Sequence, residues 1–369
     1  TFNLFTGGSS DTNFSTPCGI ATINDLLFDR NGDFFIPNGA GVCFIGNDPS
    51  YGSSLSGNQI TPLIGGQTVQ ASMDADGRIW VASLGNGGSI NNSGGLIAYE
   101  AVGNFPTITV TTSEFNWLNA PVGSRTYGLG NWLSKLNAVG AIDERVWAGR
   151  TDGQLVTLAQ RWQQIDQSDN IGNHTIENIW MARGRAFLSE NAAGGGNLYV
   201  LMPDGQTWDN RPGVHVRTVL GDSQGRIWMG TDTDVRLYTP TGWITFTASL
   251  AQGTPPSGPV YSLAEDQLGR IWIGSACGLT LFDRNRFVFT LNHSNFGLPD
   301  NAVHTLTVDR DNAVWAGTTS GLAKVAGGKL FTYTVAAGLP SNSIYSLAQT
   351  GDGTLAVSTD NGFAVLTGT

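Results

Sequence analysis

A ten-residue sentence that recurs along the chain narrows its fold more than any other feature. Asp222-Ser-Gln-Gly-Arg-Ile-Trp228-Met-Gly-Thr231 and Asp266-Gln-Leu-Gly-Arg-Ile-Trp272-Ile-Gly-Ser275 are nearly the same text. Asp74-Ala-Asp-Gly-Arg-Ile-Trp80-Val-Ala-Ser83 and Asp309-Arg-Asp-Asn-Ala-Val-Trp315-Ala-Gly-Thr318 extend the set. Weaker copies centre on Phe35, Trp147, Phe187 and Ala356, making eight, spaced by 45, 67, 40, 41, 44, 43 and 41 residues. A period of about 40–45 fits a four-stranded propeller blade and is too long for leucine-rich or ankyrin units.

Alternation of apolar and polar residues resolves each period into strands. In the sixth copy these are Val260 to Glu265 (inner), Arg270 to Gly274 (second), Leu279 to Phe282 (third) and Phe287 to Leu291 (outer). The Asp-x-x-Gly between inner and second strands supplies the side-chain acceptor and the positive φ that a tight hairpin needs. The Trp or Phe that follows fills the wedge between neighbouring sheets. The small residues after it, such as Gly230-Thr231 and Gly274-Ser275, allow close approach.

The expected fold is all-β, a single β-propeller over residues 1–369. Its blades are four-stranded and antiparallel: eight of them, or seven if the copy at Phe187 is incomplete. The last copy ends after its third strand, Phe363 to Leu366, while residues 1–5 stand where an outer strand belongs. The N-terminal strand is therefore expected to join the C-terminal blade and close the ring, removing the free edges of an open sheet.

Composition agrees and excludes several function classes. The chain of 369 residues has 50 Gly and 13% charged residues, about twice and half of ordinary usage. With 40% hydrophobic residues, 11 Trp and 17 Phe it has ample core material, which excludes disorder as the main state. A net charge of −10 without any Lys/Arg cluster argues against a nucleic-acid partner. No run of 18 apolar residues offers a membrane span. A first residue of Thr1 rather than Met suggests either processing or trimming of the chain.

The repeat resembles that of the two-component regulator propeller family. Gly297-Leu-Pro-Asp-Asn301-Ala-Val303 and Gly338-Leu-Pro-Ser-Asn342-Ser-Ile344 match its loop, and Gly278-Leu279 and Gly321-Leu322 its third-strand entry. The resemblance is strong over 214–369 and weaker over 1–213. It implies either a periplasmic sensor region, often for carbohydrate fragments, or a secreted propeller attached to export or cell-surface machinery. Lacking kinase and DNA-binding regions, the chain is expected to be a free-standing bacterial propeller, periplasmic, secreted or at the cell surface, or one domain of a longer protein. The repeat is similar, more distantly, to streptogramin lyases, which would imply a metal-assisted lyase or hydrolase. Their His and Glu pattern fails here, since second strands end in Gly-Thr or Gly-Ser.

The expected function is non-enzymatic recognition of a glycan or a protein partner. The alternative is a docking subunit of a secretion or surface assembly. Function is expected where strands end and long loops gather: in 6–19, with Asp11, Asn13 and Phe14, in the glycine-rich loop 84–95, and above all in the insertion at 113–132. The insertion holds Glu114, Phe115, Trp117, Arg125, Tyr127 and Trp132. Aromatic rings beside Arg and carboxylates suit sugar stacking and bidentate hydroxyl contacts, and the competing reading is packing of the insertion on its blade. Arg150 and Asp152 follow Trp147 as a charged pair near the axis. Trp208, Arg211 and His215 are expected in the loop before the fifth inner strand, and His174 before the fourth. No cofactor is expected. Asp29-Arg-Asn-Gly32, Asp74-Ala-Asp-Gly77 and Asp232-Thr-Asp234 would be the places for structural Ca²⁺, though none continues into a Ca²⁺ loop. Cys18 and Cys43 fall near one end of the first blade, where a disulfide or two free thiols are the alternatives, with Cys277 unpaired.

Overall fold

The computed structural model describes, of residues 1–171, only the strands named below, with their neighbours masked. Beyond, it describes 172, 174–191, 195–203, 207–239, 242–246, 253–349 and 354–366. The chain divides into two compact units, Gly7–His215 and Thr1–Thr6 with Val216–Thr369.

The first unit holds four antiparallel sheets among its described residues. They are β2 (Leu27–Phe28), β3 (Phe34–Asn38), β4 (Gly41–Ile45) and β5 (Gly57–Ile60), then β6 (Thr68–Met73), β7 (Ile79–Ser83) and β8 (Gly95–Tyr99). The third is β9 (Leu136–Ile142), β10 (Arg145–Arg150), β11 (Leu155–Leu158) and β12 (Trp162–Ile165). The fourth is β13 (Thr175–Ala182), β14 (Arg185–Asn191), β15 (Asn197–Leu201) and β16 (Trp208–Pro212). The weak copy at Phe187 is thus a full four-stranded sheet, with Phe187 itself fully buried on the second strand. The sheet of Trp80 has three described strands, and residues 100–135, which follow it, lie outside the described ones.

The second unit repeats the plan three times with β17 (Val216–Gly221) to β20 (Gly242–Thr245), β21 (Val260–Glu265) to β24 (Arg286–Leu291), and β25 (Val303–Val308) to β28 (Lys329–Tyr333). Their second and third strands are β18 (Ile227–Thr231) and β19 (Val235–Thr239), β22 (Ile271–Ser275) and β23 (Gly278–Asp283), and β26 (Val314–Thr318) and β27 (Gly321–Ala326). The last sheet is β29 (Ile344–Gln349), β30 (Leu355–Thr359) and β31 (Gly362–Leu366), completed by β1 (Phe2–Phe5). β1 runs antiparallel to β31 from Phe2 opposite Leu366 to Phe5 opposite Phe363, as the sequence predicts. Helix is confined to the single turn α1 (His293–Phe296) and a 3-10 turn at Val335–Ala337 among the described residues.

In the second unit the second strands are buried along their whole length because sheets cover both their faces: β18, β22, β26 and β30 have no exposed residue. Their Trp side chains reach the following sheet. Trp272 clusters with Val303 and Leu306, Trp315 with Ile344 and Leu347, and Trp147 with Ile176 and Ile179. Burying such a ring is worth up to about 4–6 kcal/mol. The glycine two residues on makes that approach possible. A Cβ on Gly317 would stand 2.6 Å from Ile344 Cγ2, and one on Gly274 2.8 Å from Val303 Cγ1.

The Asp of the repeat does more than fold its turn. Asp222 Oδ1 accepts the backbone N–H groups of Gln224 and Arg226, while Oδ2 accepts the Trp228 indole at 2.8 Å and the Arg226 guanidinium. Asp266 repeats all four bonds with Leu268, Arg270 and Trp272. At Asp309, Ala313 stands where the Arg would be; Lys324 from β27 supplies the cation, at 3.4 Å, and lies over the Trp315 ring. Burial alone would raise the Asp222 carboxyl, but the Trp228 and Arg226 donors hold it below the usual range.

Candidate functional site

These Asp turns lie at one end of each sheet. At the other end, outer-to-inner loops meet second-to-third loops. Asp300 accepts from Thr319 Oγ1 at 2.5 Å and Ser320 Oγ at 3.2 Å, Cys277 Sγ donates to the Ser257 carbonyl at 3.2 Å, and Asn361 Nδ2 donates to the Pro340 carbonyl at 3.4 Å. The sequence motifs explain this order. Leu298 and Leu339 of Gly-Leu-Pro are buried, and Asn301 and Asn342 accept the backbone N–H of His293 and Val335, both at 2.8 Å, cinching the loop. The Ser or Thr that ends each second strand of the second unit locks the next turn: Thr318 Oγ1 donates to the Gly321 carbonyl and Thr359 Oγ1 to that of Gly362, each at 2.7 Å.

At this loop end every fully described inner strand carries a bulge, at its second residue or, in β13, at its third. In β17, Val216 faces Thr231 and Thr218 faces Gly230, which leaves Arg217 without an opposite residue. The same shift singles out Tyr261 in β21, His304 in β25, Tyr345 in β29 and Glu177 in β13. By register Val69 holds this place in β6 and Asn137 in β9. A bulge re-aims its extra side chain and frees it from the ladder's alternation.

In the second unit the re-aimed side chains form a row. The Arg217 guanidinium lies 5.6 Å from the Tyr261 ring centre, and the Tyr261 and His304 rings are 4.7 Å apart and tilted by 40°. Arg217 Nε also donates to Asp232 at 2.5 Å, with both side chains more than a third exposed. Tyr345, at the same register position in the following sheet, is 48% exposed. Burial pushes the His304 imidazole below its usual range, the charge of Asp300 opposing this in part, so the ring is neutral at pH 7. Asp300 is held low chiefly by its bond from Thr319.

In the first unit Glu177 bridges His215 Nε2 and Asn191 Nδ2, each at 2.6 Å. Glu190 beside it is fully buried and accepts from the His174 backbone, Asn197 Nδ2 and the Tyr199 hydroxyl. The Tyr199 oxygen in turn accepts the Gly172 N–H at 2.9 Å. Burial and the Glu190 bond push the Tyr199 hydroxyl up to about 12. This cluster fastens the segment before β13 to its sheet.

The expected site residues fare unevenly. Glu114, Trp117, Arg125, Tyr127, Trp132, Asp152 and Cys18 lie outside the described residues, as do the turns at 29–32 and 74–77 and the loops at 6–19 and 84–94. Cys43 sits on β4 opposite Ile36 and Gln59, and Cys277 is a free, exposed thiol. Arg150 closes β10 and is 8% exposed. Trp208 is a strand residue of β16, not a loop residue, and is 3% exposed with its ring edge-on to Trp147 at 5.4 Å. Its surface is spent on packing. Arg211, on the same strand, pairs with Asp209 at 2.7 Å. Asp234 takes the donors of Thr231, Thr233 and Arg236, so its turn is tied by protein groups. Among the described residues no group of three or more His, Cys, Asp and Glu side chains could hold a metal ion. Arg217, Tyr261 and Tyr345 are absent from the sequence reading. Their signal is there, as the variable residue in Val216-Arg-Thr, Val260-Tyr-Ser, Val303-His-Thr and Ile344-Tyr-Ser.

Comparison with known proteins follows the same lines. No curated protein matches the chain in sequence. Solved structures that resemble it include PorZ, a surface component of the type-IX secretion system of Porphyromonas gingivalis (TM-score 0.53, 16% identity, 91% of this chain and 51% of that one). The WD40 β-propeller domain of Doa1 (0.54, 12%, 94% and 93%) and virginiamycin B lyase from Staphylococcus aureus (0.54, 8%, 99% and 98%) are further examples. At these identities the likeness concerns the fold. The chain spans about half the length of the first structures it matches. The model of the two component regulator propeller family matches residues 210–233, 254–276 and 297–320. Each matched segment contains one Asp–Trp pair and one bulged residue, Arg217, Tyr261 or His304. Three successive segments of this chain therefore match the two component regulator propeller repeat.

Proposed function

We propose that residues 1–369 form one closed, eight-bladed propeller that acts outside the cytoplasm as a non-enzymatic recognition module, binding a glycan or a protein partner at its loop ends without a cofactor. Closure is supported by the β1–β31 pairing, which gives the C-terminal sheet its fourth strand from the other end of the chain. Placement outside the cytoplasm is supported by the family of the repeats and by the fold shared with a bacterial surface component. No helix among the described residues is long and apolar enough to cross a membrane.

One observation carries recognition. The loop ends are braced by hydrogen bonds between loops, yet present Arg217, Tyr261, His304 and Tyr345 from equivalent positions, partly exposed and outside the core. A rigid frame with variable side chains at fixed points is what binding surfaces are made of. The test is a glycan array run beside size analysis of the native protein. Glycan binding by a monomer supports the reading, and the absence of both glycan and stable partner contradicts it.

A docking subunit of a surface assembly is the second reading. It is favoured by Ile244, Val288, Phe289 and Phe331, apolar side chains on the outer strands of three successive sheets, each between 39% and 45% exposed. Stable co-purifying partners without glycan binding would support it.

A further inference from the structure

The last sheet of the second unit is completed differently from the other three. β20, β24 and β28 each follow their third strand through a hairpin, from Thr239 to Gly242, Asp283 to Arg286 and Ala326 to Lys329. β31 takes its outer neighbour from the other end of the chain, in four antiparallel pairs from Phe2–Leu366 to Phe5–Phe363, and no turn joins the two strands. The unit keeps Thr1–Thr6 and gives up the chain at Gly7, and residues 6–26 stand between β1 and β2. Fully extended, that length of chain reaches about 70 Å.

The edge that β1 covers has the character of an edge meant for pairing. β31 reads Gly362-Phe-Ala-Val-Leu366, and Phe363, Ala364 and Val365 are at most 5% exposed. It carries neither charge nor Pro. The outer strands β16, β24 and β28, by contrast, carry Asp209, Arg211 and Pro212, then Arg286, then Lys329. Charges and prolines are what keep a sheet edge from pairing with another chain. Withdrawing β1 would open four residues of β31, Phe363 to Leu366, to a new strand.

We infer that this edge is a strand-docking site whose second occupant is the β1 strand of another copy of the chain. The inference rests on the closing role proposed for β1 and adds a partner to it. Exchange between two copies replaces each β1–β31 pairing by an identical one, so no contact is lost. What opposes it is the concentration advantage of a strand on the same chain, on the order of millimolar. A dilute chain therefore keeps its own β1, and copies held close together exchange it and become linked.

The test traps the strand as a disulfide, in chains carrying Cys277→Ser to remove the exposed thiol. Phe2→Cys is matched with Leu366→Cys, and Asn3→Cys with Val365→Cys. Adjacent antiparallel pairs alternate, so one of the two is the non-hydrogen-bonded pair with the closer Cα atoms. Both substitutions in one chain are expected to give an intrachain bond. The two single variants, mixed in equal amounts at submillimolar concentration under oxidising conditions, are expected to give a dimer at least tenfold above either alone. Mass mapping should place its bond between the paired positions. Leu4→Pro with Phe5→Pro in the donor strand, which removes whichever of two adjacent N–H groups points at β31, should abolish that dimer. Intrachain bonding without an interchain dimer overturns the inference and leaves closure intact. A dimer that the prolines leave undiminished overturns it too, since it reports chance contact of thiols. No bond in either arrangement removes the closing role of β1, and the inference with it.

Discussion

The Trp272 indole donates to the carboxyl of Asp266, six residues before it, at 2.9 Å, and the pairs Asp222–Trp228 and Asp309–Trp315 repeat the bond at 2.8 and 2.9 Å. One buried carboxyl thus ties the hairpin turn to the wedge between sheets. Asp266→Ala should leave the Trp272 nitrogen and two turn amides unpaired and cost about 2–4 kcal/mol. Trp272→Ala should cost about 3–5 kcal/mol as a core truncation. In a double-mutant cycle by urea unfolding, Asp266→Ala with Trp272→Phe should show a coupling of about 0.5–3 kcal/mol. Strict additivity would show that the bond is incidental.

Gly317→Ala would set a Cβ 2.6 Å from both Ile344 Cγ2 and Thr305 Cγ2. Overpacking of this kind should destabilise by about 1–3 kcal/mol. An unchanged melting temperature would mean that the adjoining sheets are looser than described.

Tyr199→Phe removes the oxygen that donates to buried Glu190 and accepts from Gly172. A loss of about 1–3 kcal/mol is expected, with faster hydrogen exchange at the Gly172 amide. Equal exchange in variant and native protein would show that the segment before β13 is held by other contacts.

Stability should fall in acid in two stages. His304 is kept neutral by burial, so the unfolded chain takes up a proton that the folded chain resists as pH drops through 6.5. His304→Gln should flatten that stage. Asp222, Asp234 and Asp300 are held below 3.8, and their contribution is present above that value and lost as pH falls further. Urea midpoints from pH 8 to 3 check both stages, and a first stage unaffected by His304→Gln would refute the assignment.

Much of the fold is legible in the sequence because each repeat restates the same physics. The strands expected for the sixth copy agree with β21 to β24 within about a residue at each end, and even the exchange of β1 into the last sheet follows from a missing fourth strand. The site was harder to read. Trp208 looks like a loop aromatic because Pro, Gly and Asp surround it, but pairing with β15 buries it against Trp147. Arg217, Tyr261 and Tyr345 occupy what an unbroken alternation would score as ordinary strand positions, and only the bulge turns them to the loop end. The Asp–Trp bond also escaped, since six residues of separation carries no periodic signal and appears only when the hairpin folds back.

Hydroxyl-radical footprinting of the native chain, with and without the glycan or partner it selects, addresses the central claim most directly. Recognition at the loop ends predicts that protection appears at Tyr261, His304 and Tyr345, while Leu268, 70% exposed in the turn at the opposite end of its sheet, is labelled equally in both states. Protection at Leu268 with no change at the row would contradict it.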